Sequence, residues 1–475
     1  MSVAGRIVNT TRPTQKFADH QQRSDPRHEK YNEGITVRKE PLGIILTADL
    51  AAKARGRAFP QQDLQKYLGT GCGWVPANLA IDAFGSIVTP NPFGSVGDLR
   101  LMPDVSSIAS VALGENGEQT TMVLADIHTI EGKPWECDPR TFLKRAIADL
   151  KNETGLSVVS SFEHEFMLLD DNGSPVNTPF SLESYLEEEE LGGRLVAALF
   201  DAGLDPEMWL PEFGRNQFEI TLAPANALVA ADRAVYLREI TRHVASSLGK
   251  AITFSPIIEE NGGGNGVHVH VSLRDEEERF VTYDQTRPGG LSEVAGSFAA
   301  GILKYAEQYQ AIAASAPLSY ERLAPNRWSA GGVFLGENNR EALLRICPLF
   351  DLPGANHQKQ YNLEYRAADA TSNPWLVLGC IIRAGLEGIR EGLASPTIVS
   401  GESSDFTAEQ REEYGIRPLP VTLEEALVAF EQSETVRSWF AKDFVDTFLL
   451  VKRAEIARVE AMTPEARYDA YATTY

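Results

Sequence analysis

Four short segments put metal-competent side chains on one face of what their alternation predicts to be strands. They are FEHEF (Glu163, Glu165), PEFGRNQFEI (Glu212, Gln217, Glu219), GNGVHVHVSL (His268, His270, Ser272) and NLEYR (Asn362, Glu364, Arg366). Side chains two apart on a strand point the same way, so Val267, Val269, Val271 and Leu273 form an apolar back for the third segment. Tyr361, Leu363 and Tyr365 do the same for the fourth. If the segments share a sheet, five carboxylates and one or two imidazoles converge. Such a cluster repels itself and takes up protons unless it is neutralised, and divalent cations are the natural remedy. An oxygen-rich set with an occasional imidazole suits Mg²⁺ or Mn²⁺ better than Zn²⁺, which prefers Cys and His. Arg322, Arg327, Arg340 and Arg345 lie just upstream of the last segment, and guanidinium forks suit carboxylates and phosphates. Metal, arginine and the glycine-rich turn NGGGNG together point to phosphoryl chemistry. The chain has no GxxxxGK[ST] sequence, which excludes a P-loop.

Taken singly, each motif has a plainer structural meaning. Glu163 and Glu165 would be acids on a half-exposed strand, and Glu212 and Glu219 charges beside a loop. His268 would be a hydrogen-bonded structural histidine, Glu364 and Arg366 a surface ion pair, and NGGGNG a flexible loop. Only the combination carries the chemistry.

The elements that must position these residues follow from the pattern. Residues from about 35 to 135 alternate short apolar runs with Gly and Pro, which predicts a small strand-rich module. Asp138 then caps a helix with Pro139 in its first turn. Helices are expected over LGGRLVAALFDAG, ANALVAADRAVYLREITRHVASSLG, SEVAGSFAAGILKYAEQYQAIAAS and PWLVLGCIIRAGLEGIREGL. The order is mixed and not a regular βαβ repeat, so the fold class is α+β, built on an antiparallel sheet. Amphipathic helices are expected from about residue 418. Glu187 to Glu190 reads as a solvated helix face.

Composition narrows the function classes. At 475 residues the chain can hold two or more domains. A net charge of −22 argues against general nucleic-acid binding. No run reaches the ~18 apolar residues of a membrane span. Cys72, Cys137, Cys347 and Cys380 are scattered without a CxxC pair, which fits free thiols in a reducing cytoplasm. The first ~33 residues lack the apolar core of a signal peptide and read as a flexible arm.

The segments, in this order and spacing, resemble the glutamine synthetase family. The resemblance runs over ExE, then E-x6-E ending in QFEI, GNGxHxHxSL, RLxP, NR-x4-R, and ExR followed by NPWL, from about residue 95 to 400. It implies a flexible arm (1–33), an N-terminal β-grasp domain (34–136) and a glutamine synthetase-like catalytic domain (137–475) with a curved antiparallel sheet. Matched residue by residue, Glu165, Glu212 and Glu219 resemble ligands of the metal on the glutamate side. Glu163, His268 and Glu364 resemble ligands of the metal on the nucleotide side. Arg340 and Arg345 resemble the arginines at the transferred phosphoryl group, and Arg322 and Arg366 the glutamate and phosphate contacts. Gly264 falls beside the amino-acid substrate, and Ser272 and Lys359 near the nucleotide, with Arg345 contributing there as well. The implied cofactors are two or three Mg²⁺ or Mn²⁺ ions, with ATP as co-substrate. The implied assembly is a homo-oligomeric double ring, a dodecamer.

The chain departs from the ammonia-using pattern at one segment. Where those members resemble RLVPGYEAP, it reads RLAPNRWSAG, so Trp328 stands in place of the glutamate that helps bind ammonium. Tryptophan accepts no proton but can wall an apolar or cationic amine. The DGSS-like aspartate motif is also not recognisable; Asp82 and AFGS do not align with it, while Asp98 falls at a second acidic position. The expectation is an ATP-dependent ligase joining glutamate to an organic amine (a polyamine, alkylamine or aromatic amine) through γ-glutamyl phosphate. The alternatives are an ordinary glutamine synthetase, a non-catalytic regulator of the same family, and a two-metal phosphohydrolase.

Overall fold

The computed structural model describes residues 40–112, 119–169, 178–324, 329–401 and 405–475. The arm of residues 1–33, and Arg327 with Trp328, lie outside the described residues.

The Gly- and Pro-punctuated region folds as a small mixed sheet. Its strands are β1 (Leu42–Ala48), β2 (Ala54–Pro60), β3 (Cys72–Trp74), β4 (Leu99–Pro103), β5 (Ala109–Ala112) and β6 (Gln119–Thr129). They run in the order β2-β1-β6-β4-β3, with β5 also on β6. β1 is parallel to β6 and antiparallel to β2, and the helix Leu64–Thr70 lies against β4 in a grasp-like arrangement. Alternate residues from these strands, among them Ile45, Leu101, Val123 and Ile127, form a core of their own with Phe59 and Trp74.

The second sheet holds β7 (Ser157–Leu168), β8 (Pro206–Pro211), β9 (Gln217–Leu222), β10 (Ala225–Asn226), β11 (Ile252–Thr253), β12 (Val267–Arg274), β13 (Gly332–Glu337), β14 (Ala342–Ile346), β15 (Leu363–Tyr365) and β16 (Ile398–Ser400). Their order is β16-β13-β14-β15-β12-β7-β9-β8, with β10 and β11 pairing β7. The sheet is antiparallel around the polar-faced strands, as expected. It departs from that at β13, which is parallel to both β14 and β16. GVFLGE and ALLRI are short apolar runs without alternation, so nothing in their sequence marks them as strands of one register or another. The predicted apolar backs of β12 and β15 are buried, Val269 and Tyr365 completely.

Helices cover that apolar face. Asp138 caps the helix Pro139–Thr154 by accepting from the Thr141 amide. The helix Pro374–Arg390 is buried along most of its length and touches Pro139–Thr154, Ala227–Ser247 and Glu293–Lys304. Its crossing with Glu293–Lys304 brings backbone against backbone. A Cβ on Gly301 would lie 2.0 Å from the Ala384 carbonyl, and one on Gly388 would lie 2.1 Å from that of Ser297. The single helix expected over residues 292–315 is broken at Tyr305, giving Glu293–Lys304 and Ala306–Ala313. The break lets the Tyr305 hydroxyl donate to Glu391 at 2.6 Å and its ring meet Trp439. The acidic run also differs from a uniform solvated face. Glu187, Glu189 and Glu190 are exposed, but Glu188 sits at a helix junction and pairs with Lys250 at 2.9 Å. The C-terminal region forms the expected helices, Leu423–Gln432, Glu434–Ser438, Lys442–Glu460 and Pro464–Thr474.

The small sheet is fastened to the helices by polar groups. Arg140, fully buried, grips Asp232 through two bonds of 2.9 and 2.7 Å. Its remaining nitrogen reaches Asp104 and Asp126 of the small sheet region at 2.9 and 2.8 Å. Lys144 shares the same two aspartates. Asn373, the cap of Pro374–Arg390, donates to the carbonyls of Ala48 and Asp49 at 3.1 Å. Removing one partner from a buried ionic network leaves the others uncompensated. Arg140→Ala should therefore destabilise the protein by about 3–5 kcal/mol, read as a shift of the urea unfolding midpoint. A change under about 1 kcal/mol would place the strength of the junction elsewhere.

Candidate active site

The antiparallel register explains why residues far apart in sequence meet. β7 lies between β9 and β12, and β12 lies between β7 and β15. Glu163 is opposite His268, Glu165 opposite Glu219, and Glu364 opposite both His270 and Arg345. Directly opposed residues project from the same face, so the acids and imidazoles form one continuous patch.

Within it, two groups have ligand atoms within 4.8 Å of one another: Glu163, His268 and Glu364, and Glu165, Glu219 and His268. The first is the set expected on the nucleotide side. The second differs from expectation in taking His268 and not Glu212. Glu212 comes from the loop after β8, where its carboxylate accepts from the Phe213 amide at 3.0 Å, and it stands close enough to feel the charges of Glu165 and Arg340. Carboxylates around one imidazole fit a hard divalent cation.

The charge balance divides the patch. On one side, His270 Nε2 is 3.0 Å from Glu163, and His268 Nδ1 is 3.5 and 3.6 Å from Glu163 and Glu364. Arg345 binds Glu364 at 2.7 Å, and Arg366 binds its other oxygen. Burial works to raise the Glu364 carboxyl, but Arg366, His268 and His270 pull it down to about 2. Burial also opposes ionisation of Glu163, but His270 and His268 together outweigh it, drawing the group well below its usual range. On the other side the balance is reversed. Burial, then the charge of Glu165, pushes Glu212 up to about 7. Burial, then Glu163, Glu165 and Glu212, raises Glu219 far above the ordinary carboxylate range. Both acids bind protons more tightly than an ordinary carboxylate, and a cation would relieve the same repulsion.

The walls are equally specific. Arg322 ends the helix Pro317–Arg322, buried, with Nη2 donating to the Ala367 and Ala368 carbonyls at 2.7 and 3.0 Å. Gly264 runs so close to it that a Cβ would fall 2.5 Å from Arg322 Cγ. The Gly266 amide donates to Glu165 at 2.7 Å. Arg340 is exposed in the turn after β13, and its carbonyl accepts from Arg366 Nε at 2.7 Å. Ser272 is buried and donates to the Tyr361 carbonyl at 3.0 Å, while Lys359 is exposed on the short helix His357–Gln360. Trp328 lies outside the described residues.

Several supporting residues carry no assigned role in the sequence. Gln217 Nε2 donates to Glu165, the Gly264 carbonyl and Asn265 at 3.2, 2.8 and 3.0 Å, tying the glycine turn to the patch. Asn362 holds His270 Nδ1 at 2.8 Å. Alternation had placed both on the polar face. Cys347, whose sulfur is 3.6 Å from His270 Nδ1 and 3.8 Å from Glu364, had no such signal.

The raised acids have a measurable sign. Glu212 and Glu219 bind protons in the folded protein at pH values where the unfolded chain has released them. Their contribution is full below the unfolded pKa and is lost as pH rises through the folded one. In EDTA the melting temperature should therefore fall from pH 5 to pH 8. Mn²⁺ should restore it more at pH 8 than at pH 5, and Glu219→Gln should flatten the metal-free slope. A metal-free melting temperature that rises over this interval would contradict the charge balance.

Comparison with known proteins supplies the wider frame. Residues 136–471 match the catalytic domain of glutamine synthetase, and residues 33–135 match the glutamine synthetase N-terminal domain. The gamma-glutamylpolyamine synthetase GlnA3 of Streptomyces coelicolor is 30% identical over 442 residues, covering 91% of this chain and 93% of that protein. A glutamine synthetase of Methanocaldococcus jannaschii is 30% identical over 372 residues, covering 75% and 79%. The crystal structure of a novel glutamine synthase homolog superposes with a TM-score of 0.85 at 37% identity, covering 92% of this chain and 99% of that one. The grasp-like sheet, the curled acid-lined sheet and these matches agree: the chain belongs to the glutamine synthetase family, whose members are ATP-dependent ligases using divalent metals.

Proposed function

We propose that this protein is an ATP-dependent γ-glutamyl amide ligase whose acceptor is an organic amine and not ammonia. The observation that carries the reading is RLAPNRWSAG, in which Trp328 replaces the ammonium-binding glutamate of the ammonia pattern while the acid and arginine motifs are kept. The likeness to a polyamine-using relative over nearly the whole chain supports it.

A carboxylate is a poor acyl donor because its leaving group would be oxide, so the γ-carboxylate of glutamate first takes the terminal phosphoryl group of ATP. The amine then attacks the acyl phosphate, and phosphate departs. Arg322, beside the close approach of Gly264, receives the glutamate. Arg340 and Arg345 face the phosphoryl group as it moves, and Arg366 braces Glu364 while contacting phosphate. Ser272 and Lys359 border the nucleotide. Glu163, His268 and Glu364 would hold one cation, and Glu165, Glu219 and Glu212 another, either Mg²⁺ or Mn²⁺. When bound, these cations offset phosphate charge and orient the reacting oxygens. Trp328 walls the amine and keeps water from the acyl phosphate. The working assembly is a cytoplasmic double ring, a dodecamer, with the β-grasp domain of residues 34–136 preceding the catalytic domain of 137–475.

A phosphate-release assay with glutamate, Mg·ATP and a panel of polyamines, alkylamines and aromatic amines should find an organic amine with a higher kcat/KM than ammonia. Ammonia as the best acceptor would make the protein an ordinary glutamine synthetase, and release without glutamate would make it a phosphohydrolase. Glu212→Ala should lower kcat/KM by about 100-fold or more and weaken the response to Mn²⁺. Trp328→Glu should reduce use of the organic amine; an unchanged amine preference would remove Trp328 from the acceptor site.

A further inference from the structure

Behind the polar face, beneath the backbone that holds Arg322, lies a cavity of about 10 Å³. It is lined by apolar groups, including Phe162 and Val377, by Ser372, whose hydroxyl donates to the Ala313 carbonyl at 2.6 Å, and by three further buried polar side chains, His164, Arg238 and Asp369. Each of the three has one atom without a protein hydrogen bond: His164 Nδ1, Arg238 Nε and Asp369 Oδ2. The other groups of Arg238 and Asp369 are committed. Arg238 donates to the Ala370 carbonyl at 2.6 Å and to that of Ala52. Asp369 Oδ1 accepts from the Thr371 amide and hydroxyl at 3.0 and 2.5 Å. Asp369 Oδ2 lies 3.8 Å from Arg322 Nε, which likewise lacks a partner.

Buried polar atoms are nearly always bonded. A water needs a space of roughly 10–15 Å³ for its centre and two to four polar partners. Here the size and the chemistry match one water. Arg238 Nε can donate to the water oxygen, and the two water protons can go to Asp369 Oδ2 and His164 Nδ1. The unpartnered atoms of His164, Arg238 and Asp369 are then all satisfied.

We propose that this cavity is a binding site for a single structural water, and that His164 and Asp369 are positioning residues acting through it. The water fixes the free oxygen of Asp369, whose charge, 3.8 Å from Arg322 Nε, acts with the Ala367 and Ala368 carbonyls to hold the guanidinium beside Gly264 and the substrate. Arg238 extends the same arrangement to Ala52, in the turn between β1 and β2, so the small sheet takes part in holding the glutamate contact. The inference rests on Arg322 receiving glutamate, as proposed above.

Two measurements test it on the full-length enzyme. A crystal structure near 1.8 Å should show one water within hydrogen-bond distance of Arg238 Nε, Asp369 Oδ2 and His164 Nδ1; a dry cavity overturns the proposal. In steady-state kinetics, Asp369→Asn should raise the KM for glutamate by about tenfold, with the KM for ATP changed less than about twofold. His164→Leu, which has no contact with Arg322, should raise it by about threefold, and His164→Gln, which keeps a hydrogen-bonding group, should restore it. A merely structural role would lower kcat through loss of active enzyme and leave both KM values unchanged, and that result overturns the proposal. If a variant does not fold, the crystal structure decides. Wild-type enzyme that shows no saturation by glutamate would instead reject the proposed function, while the water would still be seen or not.

Discussion

The register of β7 against its two neighbours is the constraint on which the rest depends. Because side chains alternate, a slip of one residue would send Glu163 and Glu165 into the core and Phe162 and Phe166 into solvent. The phenylalanines prevent that slip: Phe166 is buried against Phe218 and Phe254, and Phe162 is buried in the same core. Burial of aromatic rings on one face therefore holds like charges together on the other. The apolar face drives the pairing, and the polar face inherits a geometry it would not adopt alone. Arginines answer the repulsion at one end of the patch and protons or cations at the other.

The small sheet is part of the same construction. Arg140 and Asn373 couple it to the helices, and Arg238 carries that coupling to the floor of the site. These contacts are charged or polar and almost wholly buried, so they are directional and tolerate little displacement. An apolar seam, in which Val111, Met122 and Leu124 join the core of the helices, runs beside them and is less directional; a guanidinium shared among three aspartates fixes one docking angle.

How much could be read from the sequence follows from what each signal encodes. Strict alternation around His268 and Glu364 revealed both the strands and their functional face, because one face had to be apolar. The Asp138–Pro139 cap was equally plain, since a cap is a local matter. β13 and β14 were hidden because a fully buried strand has no alternation. The break at Tyr305 was hidden because the groups that its side chain meets there, Glu391 and Trp439, lie far along the chain. Within the site, the family resemblance separated the acids into two sets, but it did not show His268 reaching both. Asp369 and His164 gave no signal, since their work is defined by what packs around them and by nothing adjacent in the chain.

The meeting of Gly301 with Ala384, and of Gly388 with Ser297, has a consequence for how this protein can change over generations. Most helix contacts are made of side chains, and a loss on one surface can be offset by a gain on the other. Here main chain rests on main chain, so there is nothing to trade. Drift at the crossing is blocked in single steps, because any side chain on Gly301 or Gly388 must first displace a backbone. A constraint on substitution as strict as any in a catalytic site thus sits in a helix crossing on the apolar side of the fold, away from the acid-lined face.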